Sequence, residues 1–219
     1  MKIAIFGGTF NPVHTGHMLL ADSVCKILGY DKVLFVPSFL PPHKFVTQFI
    51  SVEDRLQMLR LACEDDSRFE VESCEIDRGG ISYTWDTVCC IEEKYAKGGC
   101  GTQILNGKLG LIIGQDLSAE FGKWKNAAQL AEKTDLILAH RPKEDNLPQN
   151  NRGSFTGTFA SEEMLNSFPY PHKIIDNPLF SVSSTEIRKK IEKNEDFSGL
   201  VPEKVYCYIK QRKLYGYRF

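Results

Sequence analysis

His14 and His17 stand three residues apart at the end of the stretch GGTFNPVHTGH, residues 7–17. Two imidazoles at that spacing can face one point, and Gly7 and Gly8 just upstream let the chain turn and its N–H groups approach an anion with no Cβ between. Gly16 and His17 fall where a helix would begin, and the unpaired N–H groups and dipole of a helix start also favour negative charge. The chemistry that fits is a phosphate pocket. A zinc pair is the competing use, but two histidines with no third ligand nearby make a poor zinc site. The loop is not a Walker A motif, since no G-K-[ST] follows, and it is not the G-x-G-x-x-G of a dinucleotide fold.

Such a loop must be delivered by the elements around it. Residues 2–6 and 32–36 are short apolar runs flanking a helix-compatible segment, 16–28, which together describe a βαβ unit and parallel strands. Residues 51–65 carry Leu56, Leu59 and Cys63 at helical spacing, with Ser51 as N-cap and Asp54 three residues on. A short strand over 69–71, a helix over 84–95, buried strands over 109–113 and 135–139 with helical sequence between them, and a weaker strand over 172–175 continue the rhythm. Strands alternating with helices along the chain predict an α/β fold: an open, Rossmann-like parallel sheet with helices on both faces. In that architecture ligands sit beyond the carboxyl ends of the strands, where strand order reverses.

The 219 residues are read as one domain, 1–219, with a helical portion from about 183 packed on it, and no internal repeat is visible. A formal net charge of -1 argues against a nucleic-acid or acidic-membrane partner, and no apolar stretch approaches a membrane span. The seven cysteines are scattered and lack a C-x-x-C pair, which fits reduced thiols and a cytoplasmic location. Residues 97–108 and 142–161 read as surface excursions.

Other residues have two uses each. In SSTEIRKKI, Ser183 is a natural N-cap with Glu186 three later and Ile187 and Ile191 on the core face, yet the same helix start and the fork of Arg188 suit phosphate oxygens. Asp116, after Gly114 at the end of a strand, could accept from ribose hydroxyls or cap a helix. Lys44, on a proline-stiffened loop, is a phosphate contact or a solvated lysine. Trp124 offers a flat apolar surface to a heteroaromatic ring, or a core anchor.

GGTFNPVHTGH resembles the signature of the H-x-G-H nucleotidyltransferases. PPHK (41–44), SYTWDT (82–87), GQDLSAEFGKW (114–124), RP (141–142), SVSSTEIR (181–188) and the closing LVPEKVYCYIKQRKLY are similar to one branch of them, the bacterial nicotinate-mononucleotide adenylyltransferases, in order and over nearly the whole length. The resemblance implies transfer of AMP from ATP to nicotinate mononucleotide, with release of pyrophosphate. It implies that His14 and His17 act on the transferring phosphoryl group, and that Gly7, Gly8, Thr9, Phe10, Lys44, Gly114, Asp116, Arg141, Ser183, Ser184, Thr185 and Arg188 hold ATP. His43, Tyr83, Thr84, Trp124 and Lys125 are expected on the nicotinate mononucleotide, with backbone N–H groups near Thr84 and Lys125 receiving its carboxylate. Mg²⁺ is expected to arrive with ATP, because no carboxylate cluster marks a protein-held ion. The family reading leaves room for a homo-oligomer. The competing readings are a transferase on the same scaffold with another acceptor (nicotinamide mononucleotide, phosphopantetheine or a cytidylyl acceptor), a non-catalytic nucleotide sensor, and a purely structural domain. The SYT and FGKW segments favour nicotinate.

Overall fold

A computed structural model of the chain describes residues 1–40, 50–96, 105–140, 168–176 and 182–218. Its strands are β1 (Ile3–Gly8), β2 (Lys32–Pro37), β3 (Phe69–Val71), β4 (Leu109–Gly114), β5 (Thr134–His140) and β6 (His172–Asp176). All pair in parallel, in the spatial order β3-β2-β1-β4-β5-β6. The chain builds outward from β1 to β3, then returns to lay β4 on the other side of β1. The order therefore reverses between β1 and β4, and parallel neighbours diverging there leave a crevice at their carboxyl ends.

The helices are α1 (Thr15–Leu28), α2 (Val52–Cys63), α3 (Cys74–Arg78), α4 (Thr84–Ala96), α5 (Gln115–Ser118), α6 (Ala127–Lys133), α7 (Ser184–Glu192) and α8 (Glu203–Arg212). Side chains alternate across the sheet, so the apolar strands supply two cores. Ala4, Phe6, Val33 and Phe35 face one way and meet α1, α2, α7 and α8 through Leu20, Leu59, Ile187 and Val205. Ile3, Ile5, Leu34 and Val36 face the other and meet α4 and α6 through Val88, Ile91 and Leu130. Burying each Val, Leu, Ile or Phe among them contributes about 1.5–3 kcal/mol, which holds the strand ends that carry the crevice.

The sequence expectations meet three local differences. Gly7 and Gly8 belong to β1, paired with Val36 and Pro37, and neither has a positive φ. The left-handed turn falls on Phe10 instead, at φ 45. Space at Gly8 is tight: a Cβ there would stand 3.0 Å from the Phe10 ring. On α2 the buried stripe is Arg55, Met58, Leu59 and Cys63, while Leu56 is only half-buried. Gly114, not Asp116, stands at the N-cap of α5, because α5 begins immediately where β4 ends. Ser51 does cap α2, accepting from the Asp54 N–H at 3.0 Å.

Candidate functional site

The loop leaving β1 packs its aromatic residues around the histidines. The His17 ring meets Phe10 and Phe6 edge-on, with centroids 5.0 and 5.6 Å apart. His14 and His17 stack on each other at 3.6 Å. His14 is extended at the N-cap of α1, and its backbone N–H donates to Nδ1 of His17 at 3.2 Å. An imidazole that accepts at Nδ1 carries its proton on Nε2, so His17 has a donor fixed on its far side. Among the described residues no group of three or more His, Cys, Asp or Glu side chains could hold a metal ion.

The serine-rich turn before α7 touches this loop directly. Ser184 Oγ donates to the carbonyl of Pro12 at 2.8 Å, and an Nη of Arg188 donates to that of Asn11 at 2.6 Å. Ser183 serves as the N-cap, accepting from the Glu186 N–H at 3.2 Å, and Thr185 Oγ accepts from Arg188 at 3.2 Å. The imidazoles and the α7 turn, distant in sequence, thus border one region.

Two further groups brace the loop. Arg55 is 1 % exposed, and one of its Nη atoms donates to the carbonyls of Thr9 at 3.0 Å and Ser38 at 2.7 Å. This ties the loops after β1 and β2 together. Tyr215 donates its hydroxyl to Oδ1 of the buried Asn11 at 2.8 Å. Burial drives the phenol well above its ordinary pKa and lowers those of Arg55 and Arg188, with Tyr215 lying close to both guanidinium groups. The nearest sequence signal for Arg55 is a charged residue on the same helical stripe as Met58 and Leu59. Tyr215 and Asn11 carry no such signal, since nothing local pairs them.

On the other flank a cavity of about 140 Å³ opens at the β1/β4 crevice. Gly7, Gly8, Thr9 and Gly114 border it at the strand ends, and Tyr83, Thr84, Trp124 and Lys125 close it. A Cβ at Gly7 or Gly114 would meet nothing within 4 Å, so both present bare backbone. Trp124 packs on Phe121 at 5.2 Å, and its Nε1 is buried without a hydrogen-bond partner among the described residues. The Lys125 ammonium sits 5.0 Å over the Tyr83 ring and pairs with both oxygens of Asp86 at 2.8 and 2.9 Å. Beneath them lies Glu75, which sequence reasoning missed. Burial raises its pKa, opposed by hydrogen bonds from Thr87 and Ser82 and by the charge of Arg78. A larger recess of about 570 Å³ lies at the opposite end of β5 and β6, away from these groups.

His43, Lys44 and Arg141, the side chain of Asp116 and most of the two excursions lie outside the described residues. Neither Cys25 nor Cys63 can act as a thiolate nucleophile near neutrality, since burial pushes them up to about 11 and about 12. No helix among the described residues is long and apolar enough to cross a membrane.

Known proteins give this arrangement a context. The cytidylyltransferase-like family model matches residues 5–190. A probable nicotinate-nucleotide adenylyltransferase of Treponema pallidum is 40% identical over 98% of this chain and 99% of its own. The chain belongs to the cytidylyltransferase-like family, among its nicotinate-nucleotide adenylyltransferases. A probable adenylyltransferase of the same name from Borrelia garinii is 37% identical over 98% of this chain and 95% of its own. The fold of this adenylyltransferase also matches that of the Plasmodium falciparum nicotinic acid mononucleotide adenylyltransferase complexed with NaAD. The TM-score is 0.72 at 20% identity, covering 99% of this chain and 98% of that one.

Proposed function

We propose that the chain transfers AMP from ATP to nicotinate mononucleotide, forming nicotinate adenine dinucleotide and pyrophosphate. The observation that carries the reading is the meeting of the β1 loop and the α7 turn beside the crevice cavity, through Ser184 with Pro12 and Arg188 with Asn11. A phosphate monoester with a second pKa near ~6 is largely dianionic at neutral pH, so its oxygen attacks the α-phosphorus without a general base. One P–O bond forms as the bond to the leaving pyrophosphate breaks. What the protein must supply is alignment and charge neutralisation. His17 offers Nε2–H to the transferring phosphoryl group, and His14 supports it. Gly7, Gly8, Thr9, Phe10 and Gly114 line the nucleotide's path with backbone. Ser183, Ser184, Thr185 and Arg188, with Lys44, Asp116 and Arg141, are assigned to ATP.

Trp124 and Tyr83 are assigned to the pyridine ring, with Thr84, Lys125 and His43 toward the rest of the nicotinate mononucleotide. A divalent cation enters as part of the substrate, with ATP; we take it as Mg²⁺. The same reading includes a single domain over residues 1–219, supported by a core that α7 and α8 share with β1 and β2, and a cytoplasmic location. The test is an acceptor competition: ATP with nicotinate mononucleotide, nicotinamide mononucleotide, phosphopantetheine or no acceptor, following pyrophosphate. Release with nicotinate mononucleotide at a kcat/KM well above the others is expected. Tight ATP binding with no release on any acceptor would replace the enzyme by a nucleotide sensor.

A further inference from the structure

We propose that the turn Leu214–Gly216 positions the reaction loop, the Tyr215 hydroxyl fixing Asn11 and with it the peptide on which Arg188 is oriented; this rests on the adenylyltransferase reading above. Both carbonyls of Asn11 are held from the carboxyl-terminal region. Tyr215 takes the side-chain oxygen at 2.8 Å and Arg188 the main-chain oxygen at 2.6 Å. The next residue is held too, by Ser184 on Pro12 at 2.8 Å. Tyr215 is a positioning residue on this view, acting through Asn11 on the segment between Phe10 and His14.

The backbone points the same way. Among the described residues, the non-glycine positions with positive φ are Phe10, Asn126, Asn194, Lys213 and Tyr215. Asparagine enters the left-handed region readily, so the two asparagines need no special account. The other three lie on the two sides of one contact: Phe10 adjoins Asn11, while Lys213 and Tyr215 form the turn that reaches it. Left-handed non-glycine residues persist where their surroundings over-determine them, and here they do so where the loop carrying His14 is set. The cavity bordered by Tyr83 and Trp124 shares no lining residue with this contact.

The experiment is steady-state kinetics on Tyr215→Phe, which deletes one oxygen and keeps the ring. The expected result is a roughly tenfold fall in kcat with KM for nicotinate mononucleotide within about twofold, since the lost contact acts on alignment and not on the ring cavity. Asn11→Ala and the double variant complete a cycle, in which the double variant should lose no more than the worse single one. Multiplying losses would overturn the proposal. So would a Tyr215→Phe enzyme with full kcat beside an inactive Tyr215→Ala, because packing alone would then explain the turn. Loss of cooperative unfolding in Tyr215→Phe would assign it a folding role and overturn the proposal equally. An inactive wild-type chain would instead sink the adenylyltransferase reading itself.

Discussion

The two flanks of the crevice are braced in different ways. On the phosphate flank, the β1 loop is gripped by Ser184, Arg188 and Tyr215, which lie 172, 177 and 204 residues from their partners. Arg55 adds a buried clamp from 46 residues away. On the ring flank, the bracing spans less of the chain: Ser82, which borders the cavity, accepts from the Phe39 N–H 43 residues away at 2.9 Å, and the other ties are local or exposed. Thr87 donates to Glu75 from 12 residues away, and Lys125 pairs with Asp86 where side chains of both are 42% and 32% exposed. Bond exchange at phosphorus demands atoms held in line, and small misplacements there are costly in rate. A planar ring needs a surface and a few donors, which tolerate more play. The ties of longest span are gathered on the flank assigned to the bond change.

The largest expected effect tests that division at its centre. His17→Ala should lower kcat by roughly 10²-fold or more with both KM values little changed, the scale of one lost electrostatic donor. Near-normal turnover would dissolve the contrast. A change in the bracing should register in stability. Asp54 joins α2 to α8 by accepting from Tyr208 at 2.7 Å and from Ser51 at 2.8 Å, with Arg212 at 3.4 Å. Burial alone would raise its pKa, but these hydrogen bonds and the Arg212 charge bring it below the ordinary 3.8. The folded pKa is below the unfolded one, so the stabilisation is fully present above that ordinary value and lost as pH falls through the folded pKa. Asp54→Asn should destabilise by about 2 kcal/mol at neutral pH in urea unfolding, and by less at pH values near ~3.

Trp124→Ala should raise KM for nicotinate mononucleotide by roughly tenfold while kcat stays within about threefold, because it removes a stacking surface and no phosphate contact. Steady-state kinetics varying each substrate in turn separates this from a lesion in ATP binding. The smallest effect is expected from Lys125→Met, less than about threefold in the same KM, since an exposed ion pair contributes little. A large fall in kcat from that variant would place the ring flank in the bond change and reverse the comparison.

What could be read from the sequence follows the same division. The strand that ends at Gly8, the histidine loop and the Ser183 cap were legible because each depends on neighbours in the chain: an apolar run ending in glycines, or a serine three residues before a glutamate. The turn expected at Gly8 falls on Phe10 instead, whose ring folds back to stand 3.0 Å from where a Cβ at Gly8 would be. The stripe on α2 was misassigned to Leu56 because Arg55 reads as surface until its carbonyl partners, Thr9 and Ser38, are brought in from two other loops. Asp116 yielded the cap position to Gly114 because α5 starts without a connecting residue. Tyr215 could not be found at all, for a phenol acquires its meaning only from Asn11.

The span between Asn11 and Tyr215 bears on how the protein is made. A ribosome adding ~5–20 residues per second needs on the order of ten to forty seconds to cover those 204 positions. Over that interval β1 and the loop after it have been made, yet the hydrogen bond that completes their support has no donor. The nascent chain therefore carries the reacting loop without this support until the turn Leu214–Gly216 has been made.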